Sequence, residues 1–84
     1  MERRIGVVGI VVESKENVSR LNAILSEFGE IVIGRMGVPY RCNKGFSVIS
    51  LIVEGTTDEI GALTGKIGNL SGITVKTALT KMNV

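Results

Sequence analysis

The segment FSVISLIVE, residues 46–54, is the most informative part of the sequence. It is short for a globular helix and rich in Phe, Val, Ile and Leu, so it predicts a β-strand over Phe46–Glu54. Alternate side chains of such a strand point to opposite sides: Val48 and Ile52 to one, and Ile49, Leu51 and Val53 to the other. A strand that is apolar on both sides is typical of the middle of a covered sheet.

A second segment, RIGVVGIVVE at Arg4–Glu13, has the same doubly apolar pattern. Its two sets of side chains are Ile5, Val7 and Val11 on one side and Val8, Ile10 and Val12 on the other. Gly6 and Gly9 suit a strand only where another group approaches the surface closely. The pattern predicts that this segment is the other central strand.

A helix is predicted over Lys15–Phe28, with Ser14 as its N-cap and Gly29 in the left-handed position after it. Apolar residues recur at helical spacing through this segment: Val18, Leu21, Ile24, Leu25 and Phe28. They predict one buried face, and the remaining positions are mostly polar.

The rest of the chain supplies two strands and a second helix. Ile31–Val38 is predicted to pair with Phe46–Glu54 as a hairpin, through a loop at Tyr40–Gly45 that Pro39 begins. Thr56 and Glu59 have the spacing of a capping box, so a helix should begin near Thr57. Its buried stripe would be Ile60, Leu63, Ile67 and Leu70. Alternating residues then predict a strand over Ile73–Leu79.

Each half of the sequence therefore reads as strand, helix, strand. We expect residues 1–84 to form a single α+β domain, a ferredoxin-like βαββαβ sandwich. Right-handed crossovers place both helices on one face of a four-stranded antiparallel sheet, with the two doubly apolar strands in its centre.

This arrangement leaves one apolar sheet face without cover. Burying about 400 Å² per chain offers around 10 kcal/mol before association costs. Exposed apolar patches of this size mark interaction sites. The sequence therefore predicts a homo-oligomer, a dimer or a tetramer, in which copies cover this face.

Composition and charge exclude several classes of function. A net charge of +2, without a basic stripe, argues against direct nucleic-acid binding. One Cys and no His exclude a disulfide framework and argue against an ordinary protein metal site. No apolar run approaches the roughly 20 residues of a membrane span. The basic-then-apolar start of the chain has no cleavage site, so we read a strand and expect a reduced, cytoplasmic protein.

Arg35, Tyr40 and Arg41 are the candidate ligand-binding residues. Two guanidiniums and a phenol near a strand end are able to hold a carboxylate or a phosphate. The alternative is a solvated hairpin whose arginines cover edge-strand surface. Both readings stay open at the level of sequence.

Gly61, Gly65 and Gly68 form one bare stripe on the second helix. Such a stripe either admits a ligand or, as we favour, packs closely against the first helix or another subunit. Cys42 is read as an incidental thiol. Without His there is no catalytic triad, and Glu13 with Glu54 is read as two solvated strand ends, so the protein is not expected to be an enzyme.

Three stretches carry a resemblance to a known family: IGALTGKIGNLSGITVKTALTK at Ile60–Lys81, GRMGVPY before the hairpin loop, and VVESKENVSRLNAILSEFGE. Together they resemble a small family of iron-only hydrogenase system regulators, whose members look like ACT-type domains related in fold to the C-terminal domain of the nickel-responsive repressor. The resemblance implies an ACT-like, ferredoxin-like oligomer with a regulatory role.

Two departures from these relatives limit what the resemblance carries over. Ser14-Lys15-Glu16-Asn17 stands where ACT domains commonly have a glycine-containing ligand loop, and the chain has none of the histidines that bind metal in the nickel repressor. No cofactor is indicated. We expect a ligand-sensing module with a small molecule at a subunit interface and a regulatory protein partner. The alternatives are a purely structural interaction module and, less favoured, a transcriptional regulator that binds DNA directly.

Overall fold

A computed structural model describes residues 3–38 and 46–80 of the chain. The elements occur in the predicted order: β1 (Arg3–Val12), α1 (Val18–Glu27), β2 (Val32–Val38), β3 (Ser47–Thr56), α2 (Thr57–Gly68) and β4 (Ile73–Leu79). Neither helix in these two ranges is long and apolar enough to cross a membrane.

The four strands form one antiparallel sheet in the order β2-β3-β1-β4. The two doubly apolar segments are thus the central strands, as the sequence predicts. They pair along their whole length, from Arg3 opposite Thr56 to Val12 opposite Ser47. The ferredoxin-like βαββαβ fold is confirmed.

Both helices cover the same face of the sheet. The core contains one set of alternating side chains from the central strands, among them Val8, Ile10, Leu51 and Val53, each with no exposed surface. The helices contribute Leu21 and Leu25 from α1 and Ile60, Leu63 and Ile67 from α2. These are members of the two predicted apolar stripes.

The second helix begins as the sequence predicts. The hydroxyl of Thr56 accepts a hydrogen bond from the backbone N–H of Glu59 at 3.1 Å. In return, the Glu59 carboxylate accepts one from the Thr56 N–H at 2.8 Å. This reciprocal capping box satisfies two backbone donors that the first turn leaves free.

The predicted start of the first helix is wrong. Ser14 does not cap it, because its hydroxyl accepts from the N–H of Glu16 at 3.2 Å in a local turn. The helix begins at Val18 after Asn17, whose side chain makes no cap hydrogen bond to the helix and instead donates to the Ser71 carbonyl at 3.0 Å.

The left-handed glycine also lies elsewhere. Gly29 does not have positive φ, and Gly72 (φ 79°) is the glycine that does within the described ranges. Gly72 closes the turn before β4, where its carbonyl accepts from the Glu13 N–H at 2.7 Å. A side chain here would be strained and would also meet the Ser14 hydroxyl at 2.8 Å.

A bulge in β2 sets the direction of the side chains on this edge strand. Val32 pairs with Val53 and Gly34 with Ile52, so Ile33 is an extra residue. After the bulge, Arg35 pairs with Leu51 and Met36 with Ser50. Paired residues share a face, so Arg35 lies on the helix side of the sheet and Met36 on the opposite side.

Candidate functional site

The sheet face opposite the helices is apolar, as expected from the sequence, and no helix or strand of the described ranges covers it. We call it the open face. Several of its large side chains are substantially exposed, among them Met36 (67%), Val48 (47%), Val7 (43%) and Ile52 (39%). An apolar surface that extends over three adjacent strands is unusual for a monomer and marks an interaction site.

The register of the strands orders the open face into rows that run across the sheet. One row contains Met36, Ser50, Gly9 and Lys76, and we call it row A. The next contains Gly34, Ile52, Val7 and Ala78, and we call it row B. On the two central strands, the side chains of row A, Ser50 and Gly9, are small and rise little above the sheet. Those of row B, Ile52 and Val7, are large, so we call row A low and row B high.

A shallow apolar depression of about 450 Å³ lies beside row B. It is lined by Ile5, Gly6, Val7, Ile52, Ala78, Leu79 and Thr80. Three of the lining residues, Ile52, Val7 and Ala78, are members of row B. It belongs to the open face and extends it towards the β4 edge.

Arg35 is the predicted ligand residue that the structure describes. It is exposed on the edge strand, and its Nη2 donates to the Asn22 side-chain oxygen of α1 at 3.4 Å. Sequence reasoning missed Asn22, because the bulge that turns Arg35 towards α1 leaves no clear trace in the sequence. Tyr40, Arg41 and Cys42 lie outside the described residues.

The glycine stripe of α2 is exposed. A side-chain carbon at Gly61 or Gly65 would have no neighbour within 4 Å, and one at Gly68 would lie 3.6 Å from Val75 of β4. Packing of Gly61 and Gly65 against the first helix is therefore wrong. Contact of this stripe with another subunit stays a prediction.

A second depression, of about 420 Å³, lies between the end of α1 and the start of α2. It is lined by Ser26, Glu27, Phe28, Gly29, Glu30, Ile31 and Glu59. Lys66 binds Glu27 at 2.8 Å and stands 5.5 Å from the centre of the Phe28 ring. These contacts connect α2 to the end of α1, so we interpret them as contributions to the stability of the fold.

The carboxyl of Glu59 has a pKa below its ordinary value. Hydrogen bonding to the Thr56 backbone N–H lowers the pKa of its carboxyl, and the Arg3 guanidinium at 3.7 Å adds to this effect. Arg3 also pairs with Glu54 at 3.6 Å. In the described ranges, no three His, Cys, Asp or Glu side chains are placed to hold a metal ion.

Glu13 and Glu54 lie at opposite ends of the sheet, because the strands that carry or precede them are antiparallel. Glu13 accepts a hydrogen bond from the Thr74 hydroxyl at 2.8 Å, and Glu54 pairs with Arg3. The two carboxylates are thus too far apart to act as an acid/base couple.

Comparison with solved structures supports the fold. The chain is 40% identical to the uncharacterized protein TM1266 from Thermotoga maritima, with a TM-score of 0.86, over 95% of this chain and 100% of that one. A nitrogen regulatory PII-like protein, CPII from Thiomonas intermedia K12, is similar in fold at 15% identity and TM-score 0.54, over 92% of this chain and 91% of that one.

An enzyme shares the fold over part of its length. A formyltetrahydrofolate deformylase from Pseudomonas putida KT2440 matches 88% of this chain but only 28% of its own, at 12% identity and TM-score 0.60. No curated protein is significantly similar in sequence. Residues 4–77 match the model of the TM1266-like family, described as "Iron-only hydrogenase system regulator, putative". The chain therefore belongs to this TM1266-like family of regulators.

Proposed function

We propose that this protein is a homo-oligomeric regulatory module of the iron-only hydrogenase system that acts by binding and catalyses no reaction. The observation that carries the proposal is the open face: one apolar surface of the four-stranded sheet, which no helix or strand of the described residues covers. Membership of the regulator family supplies the biological setting.

A second copy is the natural occupant of the open face. Four strands about 4.8 Å apart, each with about four residues on this face at a spacing of about 6.8 Å, give a footprint of roughly 500 Å² per copy. Two such footprints total about 1,000 Å², at the lower end of specific protein interfaces. We therefore expect an assembly whose formation depends on concentration.

The proposed ligand group is an anion, such as a carboxylate or phosphate, held by Arg35 with Tyr40 and Arg41. The Arg35 guanidinium is exposed and, within the described chain, hydrogen bonds to the neutral amide of Asn22. Its positive charge is therefore available to an anion, which a guanidinium binds in bidentate fashion. Similarity in fold to a nitrogen regulatory PII-like protein is compatible with a signalling role.

Sedimentation velocity over a range of concentrations tests the oligomer. The wild-type protein should sediment as more than one copy, and Ile52→Lys should sediment as a folded monomer, because it places a charge in the middle of the open face. Ala62→Lys is the matched control, since Ala62 is exposed on α2. A wild-type monomer at all concentrations would overturn the proposal.

A thermal-shift panel of amino acids, nucleotides and other small anions tests ligand sensing. A ligand at 100 times its dissociation constant should add about 2.7 kcal/mol to the free energy of unfolding. Arg35→Ala should abolish the shift, whereas Arg20→Ala, at an exposed position of α1, should retain it.

A purely structural interaction module is the second candidate, because the open face is also suited to another protein. In that case the panel would give no shift and Arg35→Ala would change nothing. A stable partner that co-purifies from the native host and is lost in Ile52→Lys would then identify the module.

A further inference from the structure

Rows A and B of the open face are complementary in size. Where row A has a large residue row B has a small one, and the reverse: Met36 beside Gly34, Ser50 beside Ile52, Gly9 beside Val7, and Lys76 beside Ala78. A surface whose adjacent rows are complementary to each other is able to pack against a copy of itself.

We infer that two copies join their open faces about a two-fold axis that lies in the interface, perpendicular to the strands and midway between rows A and B. This inference rests on the proposed homo-oligomer and specifies its geometry. Rotation about that axis places row A of each copy on row B of the other. Each contact then occurs twice, as in every isologous interface.

The central strands show the consequence most clearly. Gly9 of one copy lies opposite Val7 of the other, and Ser50 lies opposite Ile52. Successive residues on one face of a strand are about 6.8 Å apart, so the high row of one copy fills the low row of its partner. Sheets packed face to face are rotated by about 30° relative to each other, which displaces residues least near the centre of the interface, where the central strands lie.

An axis parallel to the strands gives a poorer fit. It would place Gly9 opposite Ser50 and Val7 opposite Ile52, so small residues would meet small ones and large residues large ones. The large pair would hold the sheets apart, and the small pair would leave a void. Protein interfaces are packed as densely as interiors, so such a void is unfavourable.

The β4 edge supports the perpendicular axis. Lys76 of one copy would lie over Ala78 of the other, where the depression of about 450 Å³ is located. The aliphatic part of the lysine is able to fill an apolar depression while its ammonium group stays at the solvated rim. In this arrangement the Lys76 side chain of each copy would occupy the depression of the other.

A residue exchange tests this geometry. In the single chain, a Cβ at Gly9 would meet only the Lys76 carbonyl oxygen at 3.9 Å, so the backbone of β1 has room for a side chain at this position. Gly9→Val should raise the dimer dissociation constant about tenfold or more, because the new valine meets Val7 of the other copy. Val7→Gly should also weaken the dimer, by leaving a void.

The double variant Val7→Gly/Gly9→Val exchanges the two residues and should restore the dissociation constant to within about threefold of wild type. Ser50→Ile/Ile52→Ser is an independent second exchange on β3, which keeps the test valid if a glycine variant misfolds. Circular dichroism checks folding, and sedimentation velocity measures the dissociation constant.

The parallel axis predicts the opposite sign. There, Gly9→Val or Ser50→Ile would fill a void and tighten the dimer. Either exchange would also tighten the dimer beyond wild type, because it places a large residue opposite a small one in both pairs. Such a result, with a wild-type dimer, would overturn the perpendicular axis and leave the homo-oligomer standing. A wild-type monomer would overturn both.

Discussion

On β3, the two faces of the sheet both carry large apolar side chains but differ in cover. On the helix side, Leu51 and Val53 of β3 have no exposed surface. On the other side of the same strand, Val48 and Ile52 are 47% and 39% exposed. The same kind of side chain thus stabilises the fold on one face and is available for association on the other. The alternating apolar residues of β3 thus supply the core on one face and an apolar surface on the other.

The comparison is sharpest at two adjacent residues. Leu51→Ala should lower the free energy of unfolding by about 2–5 kcal/mol, because it leaves a cavity in the core. Ile52→Ala should cost about 1 kcal/mol or less in the monomer, through strand preference alone. Urea unfolding at low protein concentration measures both.

The same two variants separate folding from association. At high protein concentration, the cost of Ile52→Ala should increase, because association stabilises the folded state. The cost of Leu51→Ala per chain should change much less. Equal concentration dependence for the two variants would contradict the division of roles between the faces.

The helical cover of the core face depends in part on how α2 begins. Thr56→Ala removes the capping hydroxyl and should lower the free energy of unfolding by about 1 kcal/mol. Thr57→Ala, one position later at an exposed site, is the matched control and should have a smaller effect. Thermal unfolding of both variants measures the difference. Equal effects would contradict a stabilising contribution of the Thr56 hydroxyl.

The outer side of α2 is a third surface to compare with the two faces. Gly61→Ala should raise the free energy of unfolding by about 0.5–1 kcal/mol, because alanine is the better helix former and the site has open space. Gly72→Ala should instead destabilise, since Gly72 has positive φ.

Association gives Gly61→Ala a second readout. If this side of α2 contacts another subunit closely, the variant should stabilise the chain yet weaken the oligomer in sedimentation velocity. If the stripe is solvent-exposed in the assembly, the variant should leave association unchanged.

Acid should lower the free energy of unfolding by protonating Glu59 at the start of α2. Its pKa is lowered from the usual 4.5 in the folded chain, chiefly by the Thr56 N–H, so the ionised form stabilises the fold. This contribution is complete above the unfolded pKa and is lost as pH falls through the lower folded value. Urea unfolding from about pH 7 to pH 3 should show a smaller loss for Glu59→Gln than for wild type. An equal loss would assign the pH dependence to other groups.

Much of the fold could be predicted because the controlling signals are local. Alternation identifies the central strands and both their faces, and the Thr56 and Glu59 spacing locates the start of α2. The start of α1 could not be predicted in the same way. Ser14 is a good cap in isolation, but here Ser14 and Asn17 form hydrogen bonds with Glu16 and with Ser71, far along the chain.

The site was less accessible to sequence reasoning. The apolar open face follows from the strand pattern, but its rows depend on the register between strands, which the sequence does not display. Ser50 and Gly9 have no evident relation until the ladder pairs them. The same holds for Arg35 and Asn22, which come together only through the turn of β2 towards α1.

The bulge at Ile33 therefore has an evolutionary consequence. Loss of the Ile33 codon would leave a regular ladder in which Gly34 still pairs with Ile52 and Arg35 with Leu51. If Ile33 instead entered the ladder and no residue were lost, every later residue of β2 would shift by one partner and reverse its orientation. In that case the Arg35 guanidinium would move onto the open face, and the Met36 side chain would move to the helix side of the sheet. One spare residue in β2 thus protects the orientation of this edge strand against the loss of a codon at the bulge.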